Sequence, residues 1–230
     1  MTYRWIAFDA VGTLIYPVPT VAEIYATIGR RHGSRLTAKE LRSRFPTAFA
    51  ESVAACLPKE NSQLVTSEDL EVVRWKWIVN RVLDDVNDQE LCFDELYDHF
   101  ASPDSWRVFA DVEKSLPLLR ERGFRLALAS NFDQRLHAVC RGLPELQQIE
   151  RIVVSTEVGT CKPSPRFYEQ LLNLCGCGPQ ELLMIGDDPE HDVAGPRELN
   201  IAALLLDREG TSNDPRALRS LEELFTGDQP

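Results

Sequence analysis

Four short apolar runs punctuate the chain, and polar residues with reactive or ligating side chains follow each of them. Trp5-Ile6-Ala7-Phe8 stops at Asp9, and Phe124 to Ala129 stops at Ser130-Asn131. Ile152-Val153-Val154 leads into a loop that carries Lys162, and Leu182 to Ile185 stops at Gly186-Asp187-Asp188. Apolar runs this short, bounded by turn residues, predict strands buried on both faces. Ile201 to Leu206 predicts one more. Helical spacing fills the gaps: Val112 to Arg122 closed by Gly123, Arg135 to Arg141 with Asp133 as its cap, Pro165 to Leu174, and Val193 to Leu199. Strands alternating with helices predict an α/β fold, a doubly wound parallel sheet covered on both sides.

The stretch after the first strand breaks this rhythm. Thr20 to His32 carries Val21, Ile24, Tyr25 and Ile28 at helical spacing. Thr37 opens a second helix, with Glu40 in the capping-box position. Ser67 opens a third, with Glu68 and Asp69 in its first turn and an apolar stripe through Val73, Trp77 and Val82. Asp88 to Phe100 reads as a fourth. Trp75, Trp77 and Ile78 read as core positions of the third helix. Lacking the alternation, residues 17–103 are expected to form an inserted α-helical cap domain, and residues 1–16 and 104–230 the α/β core. Thr226 to Pro230 reads as a frayed end.

Charge narrows the partners. Lys and Arg total 25 against 36 Asp and Glu, a formal net charge of −11, which argues against binding nucleic acid or an anionic membrane. An anionic small-molecule substrate would then need a local positive site. No run approaches the roughly eighteen apolar residues of a membrane span, and the opening residues lack a signal-peptide core. A cytoplasmic location with reduced cysteines is the expectation; nothing sets an oligomeric state. Cys175-Gly176-Cys177 has no second Cys or His pair at ligand spacing.

In an open parallel sheet, ligands bind beyond the carboxyl ends of the strands. Asp9, Ser130-Asn131, Lys162 and Asp187-Asp188 all fall there. Each alone reads as a cap or turn former. Together they bring carboxylates close enough to require a cation between them, and hard oxygen ligands suit Mg²⁺.

These residues carry a family resemblance. FDAVGTL (Phe8 to Leu14), LASN (Leu128 to Asn131), Lys162 within CKPSPRFY (Cys161 to Tyr168) and GDDPEHD (Gly186 to Asp192) resemble, in order, the four motifs of the haloacid dehalogenase-like hydrolases. The insert resembles that superfamily's helical cap. The resemblance implies Asp9 as a nucleophile that forms an aspartyl intermediate, with Lys162 steadying it. It implies Ser130, Asn131 and Lys162 as the phosphate-binding groups. Asp9, Asp187 and the main-chain carbonyl of Val11 are the implied Mg²⁺ ligands. Asp192 would orient Lys162 or a water, and Asp188 is open between ligand and support.

One position departs from the pattern. Phosphatases of the superfamily carry a second Asp two residues after the nucleophile, which protonates the leaving oxygen; here Val11 stands there. The main reading is a Mg²⁺-dependent small-molecule phosphatase with an altered acid–base arrangement. The alternatives are a 2-haloacid dehalogenase or other carbon-centred hydrolase, and a phosphate- or partner-binding protein of weak activity. Arg30, Arg31, Arg42, Arg44 and Arg74 of the insert are candidates to select a substrate, most of them expected on solvated helix faces.

Overall fold

The computed structural model describes residues 3–60 and 63–225, so Thr226 to Pro230 lie outside the described residues. Five parallel strands form the central sheet: β1 (Trp5–Phe8), β6 (Arg125–Ser130), β7 (Arg151–Val154), β8 (Leu182–Gly186) and β9 (Ala202–Leu205), in the order β7-β6-β1-β8-β9. Alternate residues feed two separate cores. Ile6, Phe8, Leu126, Leu128, Leu183 and Ile185 face one side. Trp5, Ala7, Ala127, Ala129, Leu182 and Met184 face the other. The strand runs are continuously apolar because both faces are covered, as the sequence pattern implied.

Helix α5 (Ala110–Glu121) and helix α6 (Arg135–Gly142) cover the first face with Val112, Leu116, Leu136 and Val139. Helix α8 (Pro165–Cys175) covers the second with Phe167, Tyr168 and Leu171. A doubly wound sheet results, with β1 at its centre and β6 and β8 as its neighbours.

Four further helices, α1 (Val21–Arg31), α2 (Ala38–Cys56), α3 (Glu68–Val82) and α4 (Gln89–Ala101), pack around their own apolar cluster, which includes Ile24, Ile28, Leu41, Ile78, Val82 and Leu96. Their starts follow the capping chemistry read from the sequence. Glu40 accepts from the Thr37 amide at 2.8 Å, Ser67 from the Leu70 amide at 3.2 Å, and Asp88 from the Leu91 amide at 3.0 Å.

Several local expectations change. Val73 is exposed, while Val82 and Trp77 of the expected stripe pack in or against the helical core beside Ile78 and Val79. Ile15–Pro17 (β2) pairs antiparallel with Trp106–Val108 (β5), a ribbon joining the two ends of the helical stretch that its three-residue strands concealed. A second small ribbon pairs Lys59–Glu60 (β3) with Gln63–Leu64 (β4). The helix expected from Val193 starts earlier: Pro189–Ala194 forms a π-helical turn before α9 (Gly195–Glu198). Asp133 accepts from the Arg135 amide at 3.1 Å but spends both carboxylate oxygens on the Arg135 guanidinium, so it is less a cap than an ion-pair partner.

Candidate active site

Register brings the predicted residues together. Phe8 lies beside Leu128 of β6 and Ile185 of β8, so Asp9, Ser130 and Asp187 emerge side by side at one edge of the sheet. Asp9 is 8% exposed. Its Oδ1 accepts from Ser130 Oγ at 3.1 Å and from Lys162 Nζ at 2.8 Å.

Lys162 arrives from the loop after the short helix α7 (Ser155–Val158), and Asn131 clamps that loop. The Asn131 carboxamide accepts from the Lys162 amide at 2.7 Å and donates to the Lys162 carbonyl at 3.0 Å. The Lys162 side chain, 2% exposed, donates to Asp9, to the Ala129 carbonyl at 2.9 Å and to Asp192 at 2.6 Å. Burial opposes its charge, but the flanking Asp9 and Asp192 carboxylates outweigh that and hold its pKa above the ordinary lysine value. A solvated surface lysine is thereby excluded.

The two remaining acids of the last motif separate in role. Asp192, 1% exposed, gives Oδ1 to Lys162 and Oδ2 to the Asp188 amide at 3.1 Å, so both its oxygens are engaged. Burial pushes its pKa up to about 6 despite Lys162. Asp188 caps the π-helical turn, accepting from the amides of Glu190 and His191 at 2.8 Å each, and lies 3.2 Å from His191 Nδ1. Those hydrogen bonds, led by the one from the His191 ring, hold its pKa well below the usual carboxylate range.

Asp187 opens onto the cavity, and Thr13 Oγ1 donates to its Oδ1 at 3.2 Å. Close packing, and then the nearby charges of Asp9 and Asp192, push its pKa up to about 7. Two glycines permit the crowding. At Gly12 (φ +91°) a Cβ would collide with the Asp187 carboxylate, and at Gly186 one would collide with Asp192. Arg208 steadies the turn by donating to the Thr13 carbonyl at 2.7 Å while pairing with Asp111 at 3.0 Å.

The donor set fits a hard cation. Ligand atoms of Asp9, Asp187 and Asp192 lie within 4.8 Å of one another. The Val11 carbonyl accepts no main-chain hydrogen bond among the described residues. Asp192 is engaged by Lys162, which leaves Asp9 and Asp187 as the carboxylates of this cluster with an oxygen free. Lys162 is matched by Asp192 and His191 by Asp188, so Asp9 and Asp187 leave the cavity floor with an excess of negative charge among the described residues, which a bound cation would offset.

Above this floor is a cavity of about 360 Å³. None of Arg30, Arg31, Arg42, Arg44 and Arg74 lines it. Arg74 is buried against Glu71 and Ser52, Arg31 pairs with Glu95, and Arg44 pairs with Asp84. The arginine at the cavity is Arg135, which no motif marked, and His191, inside the fourth motif but given no role there, is a further lining residue. Trp75 and Trp77 are half-buried and packed against the helical core, as expected, and Ile78 is fully buried; Trp75 in addition lines the cavity.

A family model described as haloacid dehalogenase-like hydrolase matches residues 3–200. The chain belongs to the haloacid dehalogenase-like hydrolases. Within them, it is 27% identical over 232 residues to the haloacid dehalogenase-like hydrolase domain-containing protein 3 of Danio rerio, covering 96% of this chain and 94% of that one. It is 32% identical over 121 residues to the phosphoserine phosphatase of Thermus thermophilus, covering 48% and 45%. The structure of the L-2-haloacid dehalogenase from Xanthobacter autotrophicus superposes with a TM-score of 0.65 at 15% identity, covering 91% of this chain and 80% of that one. Haloacid dehalogenase-like relatives of both chemistries thus share this fold. No helix among the described residues is long and apolar enough to cross a membrane.

Proposed function

We propose that the protein is a Mg²⁺-dependent phosphate-monoester hydrolase of small molecules, with Asp9 as nucleophile and residues 17–103 acting as a cap over the core. The observation that carries this reading is the division of labour around Asp9. Lys162 and Ser130 hold Oδ1, which fixes the carboxylate so that one of its oxygens attacks phosphorus while the other would face the cation. The new P–O bond forms on Asp9 as the bond to the leaving oxygen breaks. The departing oxygen takes its proton from water, since Val11 carries none. Water then attacks phosphorus, the Asp9–phosphate bond breaks to regenerate the carboxylate, and inorganic phosphate and the water's proton leave to solvent.

Lys162 and Ser130 orient the nucleophile and offset charge on the transferring group, in a site where Asp192 fixes the lysine. Asp9, Asp187 and the Val11 carbonyl would hold Mg²⁺, which when bound offsets the charge of the phosphate against the carboxylates. Asp188 and Asp192 support the site and are not ligands in this reading.

Mg²⁺ affinity, read by calorimetry, is expected to fall at least about tenfold in Asp187→Ala. Equal affinity in parent and variant would remove Asp187 from the ligand set.

Val11 is 36% exposed and lines the cavity, so the position that carries an acid in family phosphatases faces the reacting atoms here without one. Halide leaves without a proton, which is the observation favouring a carbon-centred hydrolase. The acidic cluster counts against it, because dehalogenases of the family need no metal. Val11→Asp should therefore raise turnover of alkyl phosphates by about a hundredfold. Aryl phosphates should gain less, since their leaving oxygen needs little protonation. Turnover of phosphate esters and 2-haloacids with and without Mg²⁺ decides the class. Haloacid turnover that persists in chelator, with phosphate esters untouched by parent and by Val11→Asp, would establish the carbon-centred reading.

A further inference from the structure

The roof of the cavity differs in kind from its floor. Every lining side chain contributed by the four helices is apolar or aromatic: Val21 and Tyr25 from α1, Phe45 and Phe49 from α2, Trp75 and Val79 from α3, and a cluster from α4 that includes Phe93. The charged groups gather on the sheet edge around Asp9, apart from Arg135.

Arg135 is not free to receive an anion. Its guanidinium donates to Asp133 Oδ1 at 2.8 Å and Oδ2 at 2.7 Å and to the Tyr97 carbonyl at 3.3 Å, and it lies 3.7 Å over the Tyr97 ring. A buried cation so matched is neutralised where it stands. A substrate with a second charged group would find no counter-charge under this roof, and stripping that group of water would oppose binding.

We infer that the substrate joins its reacting phosphate to one apolar group, with no second charge. The inference rests on the phosphatase reading for the reacting end only. An apolar cavity of about 150 Å³ holds a benzene ring. The 360 Å³ here therefore has room for a phosphate on the floor and a ring or a short branched chain above it. Tyr25 is 2% exposed, and its ring packs edge-on against Phe45 at 5.4 Å between centroids. Its hydroxyl bonds to none of the described residues, which leaves it to bond one polar atom of a bound molecule.

The test measures binding and turnover separately. Calorimetry with Mg²⁺ present compares methyl-, butyl- and benzylphosphonate, which cannot be hydrolysed, with 4-carboxybutylphosphonate. Affinity is expected to rise about fourfold per added methylene. Butyl and benzyl should exceed methyl by at least about tenfold, and the carboxylate-tipped chain should fall below butyl. Trp75→Ser should weaken the benzyl compound several-fold and leave the methyl compound unchanged; if that variant fails to fold, the series on the parent protein decides alone. Affinity that is absent, flat across the series or highest for the carboxylate-tipped chain overturns the inference. Phosphate esters left intact while phosphonate affinity still climbs with apolar size would remove the catalytic reading and leave this one standing.

Discussion

Asp9→Asn is expected to cut turnover by at least about 10⁴-fold on any substrate the parent hydrolyses. A carboxamide is a poor nucleophile, and no other carboxylate can replace Asp9. Asp192 has both oxygens engaged, and Asp187 stands on the next strand with Thr13 holding one oxygen. The fold should survive, because Lys162 keeps Asp192 and the Ala129 carbonyl as partners. Single-turnover measurements on purified protein, with circular dichroism as the check on folding, read both outcomes. Turnover within tenfold of the parent would eliminate Asp9 as the nucleophile.

The second large effect falls on stability. Lys162→Met should destabilise the protein by about 3–5 kcal/mol, the usual cost of orphaning a buried charge. Among the described residues, Lys162 is the cation that pairs with Asp9 and Asp192, and it is 2% exposed. Its removal leaves Asp192, itself 1% exposed, with a buried negative charge and no counter-charge. Adding Asp192→Asn should recover part of the loss, since it removes the orphaned charge.

The loss should also grow with pH. Asp192 and Asp187 bind protons more tightly folded than unfolded, with values of about 6 and about 7 against about 4 for a free carboxylate. A group of that kind favours the folded state at low pH and loses the advantage as pH rises through its folded value. The Lys162→Met penalty should therefore be smallest in acid and largest above neutrality. Urea denaturation without added metal reads it. A loss below about 1 kcal/mol at neutral pH would mean that the cluster does not depend on Lys162 for charge balance.

The floor of the cavity was legible in the sequence because its residues sit at chain positions that local structure marks. A short apolar run must end, and in a parallel sheet its carboxyl end faces the ligand crevice. That places Asp9, Ser130 and Asp187 without knowledge of strand order. Asp188 and Asp192 could not be assigned the same way. Both follow β8, and only the π-helical turn decides that Asp188 caps the backbone while Asp192 turns inward to Lys162.

The insert was legible as helices but not as a wall. Thr37-Glu40, Ser67 and Asp88 announce helix starts through local hydrogen bonds, which depend on residues three apart. Helical periodicity shows that a face is apolar but not what the face meets. Trp75 and Ile78 lie on the same helix; one lines the cavity and the other is sealed in the helical core. Arg74 and Arg135 show the same limit, since a formal charge in sequence does not reveal its partner.

By itself, then, the sequence determined the local features: the strand runs, the capped helices and the order of the polar residues that follow the strands. Each depends on neighbours a few residues away, so chain chemistry specifies it. Tertiary structure decided everything that depends on residues far apart in the chain. The order β7-β6-β1-β8-β9 packs the carboxylates into one cluster, burial turns Lys162 from a surface charge into its counter-ion, and docking the helices over the sheet edge makes an apolar roof. Those properties arise from distance and desolvation between segments more than a hundred residues apart, as with Lys162 and Asp9, and no local pattern encodes either.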